Sequence, residues 1–284
     1  MFSVHAPALV DYIYLIDRYP ERGGHTIVKS TSRSPGGAGA NVAHHLGTLG
    51  VESILYTTLG EDEDSDYFRK NTNAKIIAEI TDRKTGKVHV FVDDDGERTF
   101  FVEPNAAGKP FVSVKNDEYL YIDPFPCDAS FKIQKRVVEN FGGFVILNPG
   151  FPYVSLGFEK LKEMLRSVDM LIMSSEEFRS LGVDVADVLN FVEFLIVTQG
   201  KLGSVCYTKD SSYQAKAFTA RVVDTTGAGD AFAAGFIYGF MKGYSIDLCL
   251  KIGTFCGAYN VERVGARNFP KLRDIENFLA RVLR

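Results

Sequence analysis

The chain has no tryptophan, and its four cysteines form no C-x-x-C pair. That spacing leaves no zinc-ribbon or dithiol redox signature, so Cys127, Cys206, Cys249 and Cys256 read as free thiols in the interior. No window approaches a membrane-spanning length, and residues 1–10 carry no basic region ahead of a long apolar one. The expectation is a soluble, cytoplasmic protein. An excess of one charge is missing too: 32 Lys and Arg stand against 36 Asp and Glu, scattered along the chain, for a formal net charge of −4. Such a scatter argues against nucleic acid or a membrane surface as partner. Two nucleotide templates also fail. The P-loop is absent, because Lys87, Lys109 and Lys201 are followed by Val88, Pro110 and Leu202 instead of Ser or Thr. The G-x-G-x-x-G pattern requires glycine where Val42 and Phe232 stand.

What the 284 residues do contain is alternation. Short apolar runs at 53–57, 119–123, 144–147, 170–173, 194–198 and 204–208 read as strands. Amphipathic stretches such as 130–141 and 155–168 read as helices. The alternation predicts an α/β fold with a mostly parallel central sheet and helices on both faces. One segment departs from it. Val88, Val90 and Val92 alternate with His89 and Phe91, then comes Asp95-Gly96 and a second strand at 99–103. A hairpin projecting over a pocket serves as a lid that excludes water. An ordinary surface hairpin, or one paired across a homodimer, is the alternative.

The most informative run is Asp224-Thr225-Thr226-Gly227-Ala228-Gly229-Asp230, set between a strand-like 220–223 and an apolar, helix-like 231–241. Glycines let successive N–H groups converge on an anion, and a helix N-terminus adds partial positive charge. A plain phosphate holder gains nothing from a carboxylate in that pocket. An enzyme moving a phosphoryl group to a hydroxyl does, because the hydroxyl must lose its proton there. Asp230 is therefore the candidate base, and Gly227, Ala228 and Gly229 the cradle; a carboxylate that merely complements the helix dipole is the structural alternative.

A second run, Pro35-Gly36-Gly37-Ala38-Gly39-Ala40-Asn41, precedes a helix expected over 41–49 and stopped by Gly50. Its small residues admit a ligand to the backbone, and the Asn41 amide suits hydroxyl groups; alternatively Asn41 caps the helix. Asp11 follows a strand-like 3–10, where a carboxylate can accept two hydroxyl hydrogen bonds. His44-His45 fall on that first helix about 100° apart, which disfavours joint metal ligation.

The two runs, in this order and at this separation, resemble the signatures of the ribokinase-like carbohydrate kinases, the PfkB family. The first matches through the spacing of Ala43, Gly50 and Gly60, the second through Ala231, Phe232, Gly235 and Phe236. The resemblance covers essentially the whole chain. It implies one kinase domain over 1–284, with a β-lid inserted from about 12–33 and 84–105. It further implies ATP-dependent phosphorylation of a hydroxyl on a small sugar, sugar acid or cyclitol such as inositol. A nucleoside kinase of the same family is the rival within the class. A non-catalytic sugar-binding or regulatory protein on this scaffold is the rival outside it.

By the same resemblance, Asp11, Gly36, Gly37 and Asn41 bind the acceptor. Thr198, Gly200 and Gly203 form a V-T-x-G-x-x-G nucleotide loop, joined around ATP by Thr226, Gly227, Gly229, Thr254 and Gly265. Thr254 stands where the family often has an asparagine near adenine. Mg²⁺ is organised through water by the glutamate of an N-x-x-E motif, here Glu177 with Ser174 in the asparagine's place and Glu176 as the competing choice. Asp224 matches a position that helps hold a monovalent cation such as K⁺ in some members, and it equally suits a turn cap.

Overall fold

Successive residues of the apolar runs point to opposite sides of a sheet, and both sides are covered. A computed structural model describes residues 1–283. Its strands are β1 (Phe2–His5), β2 (Leu9–Ile16), β3 (Val28–Gly36), β4 (Ser53–Gly60), β5 (Lys75–Thr81), β6 (Gly86–Val92), β7 (Arg98–Glu103), β8 (Tyr119–Ile122), β9 (Phe144–Leu147), β10 (Met170–Ser174), β11 (Phe194–Thr198), β12 (Ser204–Tyr207) and β13 (Ser212–Ala215). Its helices are α1 (Ala38–Thr48), α2 (Glu63–Lys70), α3 (Ser130–Glu139), α4 (Gly150–Val154), α5 (Phe158–Leu165), α6 (Ser175–Leu181), α7 (Val185–Leu189), α8 (Ala228–Met241), α9 (Ile246–Asn260) and α10 (Leu272–Val282).

A nine-stranded sheet runs in the order β13-β12-β11-β10-β9-β8-β1-β4-β5, parallel from β11 to β5 and antiparallel at β12 and β13. The α/β architecture expected from the alternation is what forms. Val4, Tyr121, Ile146 and Ile196 point to one side and pack with α1, α8, α9 and α10. Ile122, Val145, Leu147 and Val197 point to the other and pack with α3 to α7. The chain builds outward from β1 through β4 to β5, and then from β8 in the opposite direction. The β1–β8 junction is therefore a topological switch point, where the carboxyl ends of the strands leave a crevice. No helix among the described residues is long and apolar enough to cross a membrane.

A second sheet, β3-β2-β6-β7, stands apart from the first. Strands β2 and β6 are parallel, and the two outer pairs are antiparallel. The five-residue connection from β6 to β7 is turned by Asp93, whose Oδ1 accepts the N–H groups of Asp95 and Glu97.

Four local expectations need correction. The run 3–10 is not one strand: it breaks at Ala6-Pro7-Ala8, and its halves enter different sheets. Pro7 has no N–H to continue a ladder. Residues 220–223 form no strand, since Val222 is 64% exposed and Val223 donates instead to the Val261 carbonyl at 2.7 Å. The stretch 155–168 is helical only over α5: α4 has already ended at Val154, and Gly157, with φ 81°, stands at the N-cap of α5. Helix α1 begins at Ala38, so Asn41 lies inside it and does not cap it.

The cysteines are explained by α8 and α9. A Cβ at Gly235 would sit 2.6 Å from Cys256 Sγ, and one at Gly239 3.2 Å from Cys249 Sγ. Small residues on one helix thus admit the thiols of the other. All four cysteines are free, and Cys206, Cys249 and Cys256 are buried.

Candidate active site

Gly227 precedes α8 with φ 77°, and a Cβ there would lie 2.5 Å from the Ala266 backbone. Only glycine fits this bend without strain. The Ala228 N–H closes the bend onto the Thr225 carbonyl at 3.2 Å, so it is not a free donor. The N–H groups of Gly227, Gly229 and Asp230 have no protein partner among the described residues. They are the free amides of a 14-residue helix, and such groups attract an anion.

Asp230 is the third residue of α8. Its Oδ2 accepts a 2.8 Å hydrogen bond from Asn41 Nδ2. The Asn41 Oδ1 in turn accepts from Arg267 Nε at 3.0 Å. Burial pushes the Asp230 carboxyl up to about 6, against the pull of the Asn41 hydrogen bond and the Arg267 charge.

Two further carboxylates face the same space. Asp11 lies within β2, in the second sheet, and not at the end of a main-sheet strand. A Cβ at Gly36 would come 2.2 Å from Asp11 Oδ1, so the glycine makes room for this side chain. Burial raises the Asp11 carboxyl to about 7, Arg267 opposing and Asp230 assisting. Gly37, with φ 93°, would strike the Pro7 carbonyl at 2.4 Å if it carried a Cβ. Asp123 follows β8 at the switch point and accepts the Gly39 N–H at 3.0 Å. Burial raises it to about 7 as well.

On the far side of the α8 bend lies a cavity of about 560 Å³. Thr198, Gly200, Gly203, Gly229 and Thr254 line it, together with Phe218, Phe232 and Val261. Thr226, Gly227 and Gly265 stand outside that lining. Gly265 instead donates its N–H to Asp224 Oδ2 at 2.8 Å.

Asp224 Oδ1 accepts the Thr226 N–H at 2.7 Å and pairs with the Arg98 guanidinium. Arg98 also bonds the Thr226 hydroxyl. Burial acts to raise the Asp224 carboxyl, but these amide bonds and the Arg98 charge outweigh it and hold it below its ordinary value. Where a K⁺ ligand was expected, the carboxylate has a guanidinium supplied by the chain itself.

Ser174 Oγ accepts the Glu177 N–H at 3.1 Å, and Glu177 Oε2 accepts the Ser174 N–H at 2.7 Å. This is a capping box, and it spends one Glu177 oxygen. Glu177 lies close enough to Asp123 to act on its charge, while Glu176 is exposed. No group of three acidic, His or Cys side chains among the described residues is placed to hold a metal. Mg²⁺ keeps several waters and takes one or two carboxylates beside phosphates, so Glu177 suits an ion that arrives with a nucleotide. His44 and His45 diverge: His44 Nδ1 accepts the Asn73 N–H, and His45 stacks on Phe269 and bonds the Ala266 carbonyl.

Three site residues escape sequence reasoning. Asp123 closes a recognised strand, so its place at a carboxyl end was the available signal. Arg98 and Arg267 sit in unremarkable contexts and reach the site only through tertiary packing.

The profile of the pfkB family carbohydrate kinases matches residues 8–272. A nucleoside kinase of Methanocaldococcus jannaschii is 32% identical over 92% of this chain and 90% of its own. An ATP-dependent ribose-1-phosphate kinase of Halopiger xanaduensis is 28% identical over 95% of each chain. The crystal structure of the M. jannaschii nucleoside kinase superposes with a TM-score of 0.88 at 28% identity, covering 99% of both chains. Kinases of this family use ATP and Mg²⁺ and phosphorylate a hydroxyl. With the carboxylate and free amides at the α8 bend and a matching profile over nearly its full length, this chain belongs to the pfkB family of carbohydrate kinases, phosphotransferases with an alcohol group as acceptor.

Proposed function

We propose that this protein transfers the γ-phosphoryl group of Mg·ATP to a ribose hydroxyl of a nucleoside. The observation that carries the acceptor class is the composition of one sheet face. Register places Asp11 beside Val88, and Ile13 beside Val90, which pairs with Phe100. Asp11, Ile13, Val90, Phe100 and Arg98 therefore share a face, and Arg98 shows that it looks toward the α8 bend. Phe100 is 54% exposed on that face. Phe91 and Phe101 fall on the opposite face, in edge contact 5.8 Å apart. A carboxylate for ribose hydroxyls next to an open aromatic for a base is the pairing a nucleoside needs.

In this reading the second sheet is the lid, and Asp11, Gly36, Gly37 and Asn41 form the acceptor side. ATP occupies the cavity lined by Thr198, Gly200, Gly203 and Thr254, with its phosphates passing Thr226, Gly227, Gly229 and Gly265. Asp230 removes the acceptor hydroxyl proton as the oxygen bonds to phosphorus and the bond to the departing ADP breaks. The free amides of Gly227, Gly229 and Asp230 stabilise charge on the moving oxygens. Glu177 would hold Mg²⁺ through water, and the ion would supply positive charge against the phosphates.

The test is an acceptor panel with Mg·ATP: ribose, fructose, myo-inositol, ribose 1-phosphate, adenosine, inosine and cytidine. Nucleosides should exceed the free sugars in kcat/KM, and Phe100→Ala should cost about 10-fold with nucleosides alone. Higher efficiency with a free sugar or inositol would give the acceptor to the sugar and polyol reading. Acceptor binding without ADP release would defeat the transfer mechanism.

A further inference from the structure

Arg267 lies in the loop between α9 and α10, 226 positions from Asn41, yet its Nε donates to the Asn41 Oδ1 at 3.0 Å. Its Nη1 donates to the Asn71 carbonyl at 2.6 Å and to Thr72 Oγ1 at 2.9 Å, just beyond α2. Its guanidinium carbon sits 5.5 Å from the centre of the Phe68 ring. The remaining nitrogen, Nη2, is shut off from solvent and has no hydrogen-bond partner among the described residues. A buried donor left unpaired is costly, so this side chain is not placed for stability alone.

The chemistry of the contact decides which way the Asn41 amide faces. A guanidinium offers donors only, so the amide oxygen must turn toward Arg267. The amide nitrogen is thereby turned toward Asp230, where it donates at 2.8 Å. We propose that Arg267 is a positioning residue that locks the Asn41 amide with its N–H toward Asp230 and keeps that carboxylate ionised and aimed. The inference rests on the reading of Asp230 as the base. Lysine cannot substitute, because a point charge cannot span Asn41, Asn71 and Thr72 in one plane.

The titratable groups around Asp230 come from several elements. Arg267 after α9 acts on its charge and Asn41 on α1 is its hydrogen-bond partner, while the Asp230 charge in turn acts on Asp11 on β2, Asp123 after β8 and the neutral Tyr121 on β8. Arg267 is the one cation among them, and it favours the ionised form.

The experiment compares wild type, Arg267→Met, Asn41→Ala and the double variant in steady-state kinetics from pH 5 to pH 9, with the best acceptor from the panel. Methionine keeps an unbranched stem over Phe68. Arg267→Met should lower kcat about 10- to 100-fold and move the acid limb of kcat upward by about half a pH unit or more. Asn41→Ala should do the same, and the double variant should be no worse than the more damaged single. An unmoved acid limb, or losses that multiply in the double variant, would overturn the proposal. If Arg267→Met does not fold, Arg267→Lys gives the same readout, and recovery of wild-type kcat by lysine would also overturn it. A wild-type protein without transfer to any acceptor would instead defeat the kinase mechanism itself, a separate result.

Discussion

The Arg98 guanidinium, carried by the outer strand of the small sheet, pairs with the Asp224 carboxylate three residues ahead of the Gly227 bend. The two side chains are 126 positions apart and only 20% and 11% exposed. This pair fastens the second sheet to the loop that leads into α8. Because Asp224 keeps the amide donors of Thr226 and Gly265, removal of Arg98 does not leave it an orphaned charge.

Arg98→Ala should therefore fold, yet loosen closure. Amide hydrogen exchange in β6 and β7 should quicken, and acceptor kcat/KM should fall about 10-fold, the scale of a lost charged hydrogen bond. Turnover of the wild type should be equal in potassium and choline chloride, since Arg98 already supplies the cation at Asp224. Wild-type exchange and kinetics in the variant would show the pair to be idle.

Asp230→Asn should lose ~10²–10⁴ in kcat while nucleotide affinity stays nearly unchanged. In the wild type, Asp230 near 6 and Asp11 near 7 place the acid limb of activity just below neutrality. Mutual repulsion couples these groups, so the limb should be broader than a single titration. Isothermal titration with an ATP analogue and a pH-rate profile check both parts. Turnover of the variant close to wild type would remove Asp230 from the base role.

The same substitution should stabilise the fold at alkaline pH. The folded value of about 6 lies above the unfolded carboxyl value, so native Asp230 holds more protons than the unfolded chain between those two values. Ionising the buried carboxyl therefore costs stability as pH rises through that window, and the cost is absent below it. Asp230→Asn should be more stable than wild type at pH 8 by about 1–2 kcal/mol and so melt higher, with the difference shrinking toward pH 4. Thermal melts at both pH values measure it; a variant less stable at pH 8 would contradict the burial argument.

Gly36→Ala should act on the acceptor and spare the nucleotide. The new Cβ would meet Asp11 Oδ1 at 2.2 Å, and the carboxylate must swing aside. Acceptor KM should rise about 10-fold with ATP KM constant, because the displaced group is an acceptor contact. Equal changes in both constants would place Gly36 elsewhere in the mechanism.

Much of the fold is legible locally. The runs at 144–147 and 194–198 coincide with β9 and β11, because a strand buried on both faces has no polar residues to blur its limits. The run at 3–10 misleads for the same reason: apolar residues continue across Pro7 while the chain crosses between sheets. The stretch 220–223 misleads in another way, since β-branched residues satisfy the pattern of a strand but have no neighbour to pair with.

By itself the sequence determined the bend before α8, its left-handed glycine and its carboxylate, because contiguous residues set backbone geometry and helix-end chemistry. It likewise determined a sheet covered on both faces. Only the tertiary structure decided which groups meet there. Asn41 and Asp230 are 189 positions apart, and Arg98 and Arg267 enter from separate segments. Those meetings depend on the order in which parallel crossovers stack the strands, a property no local run of residues carries.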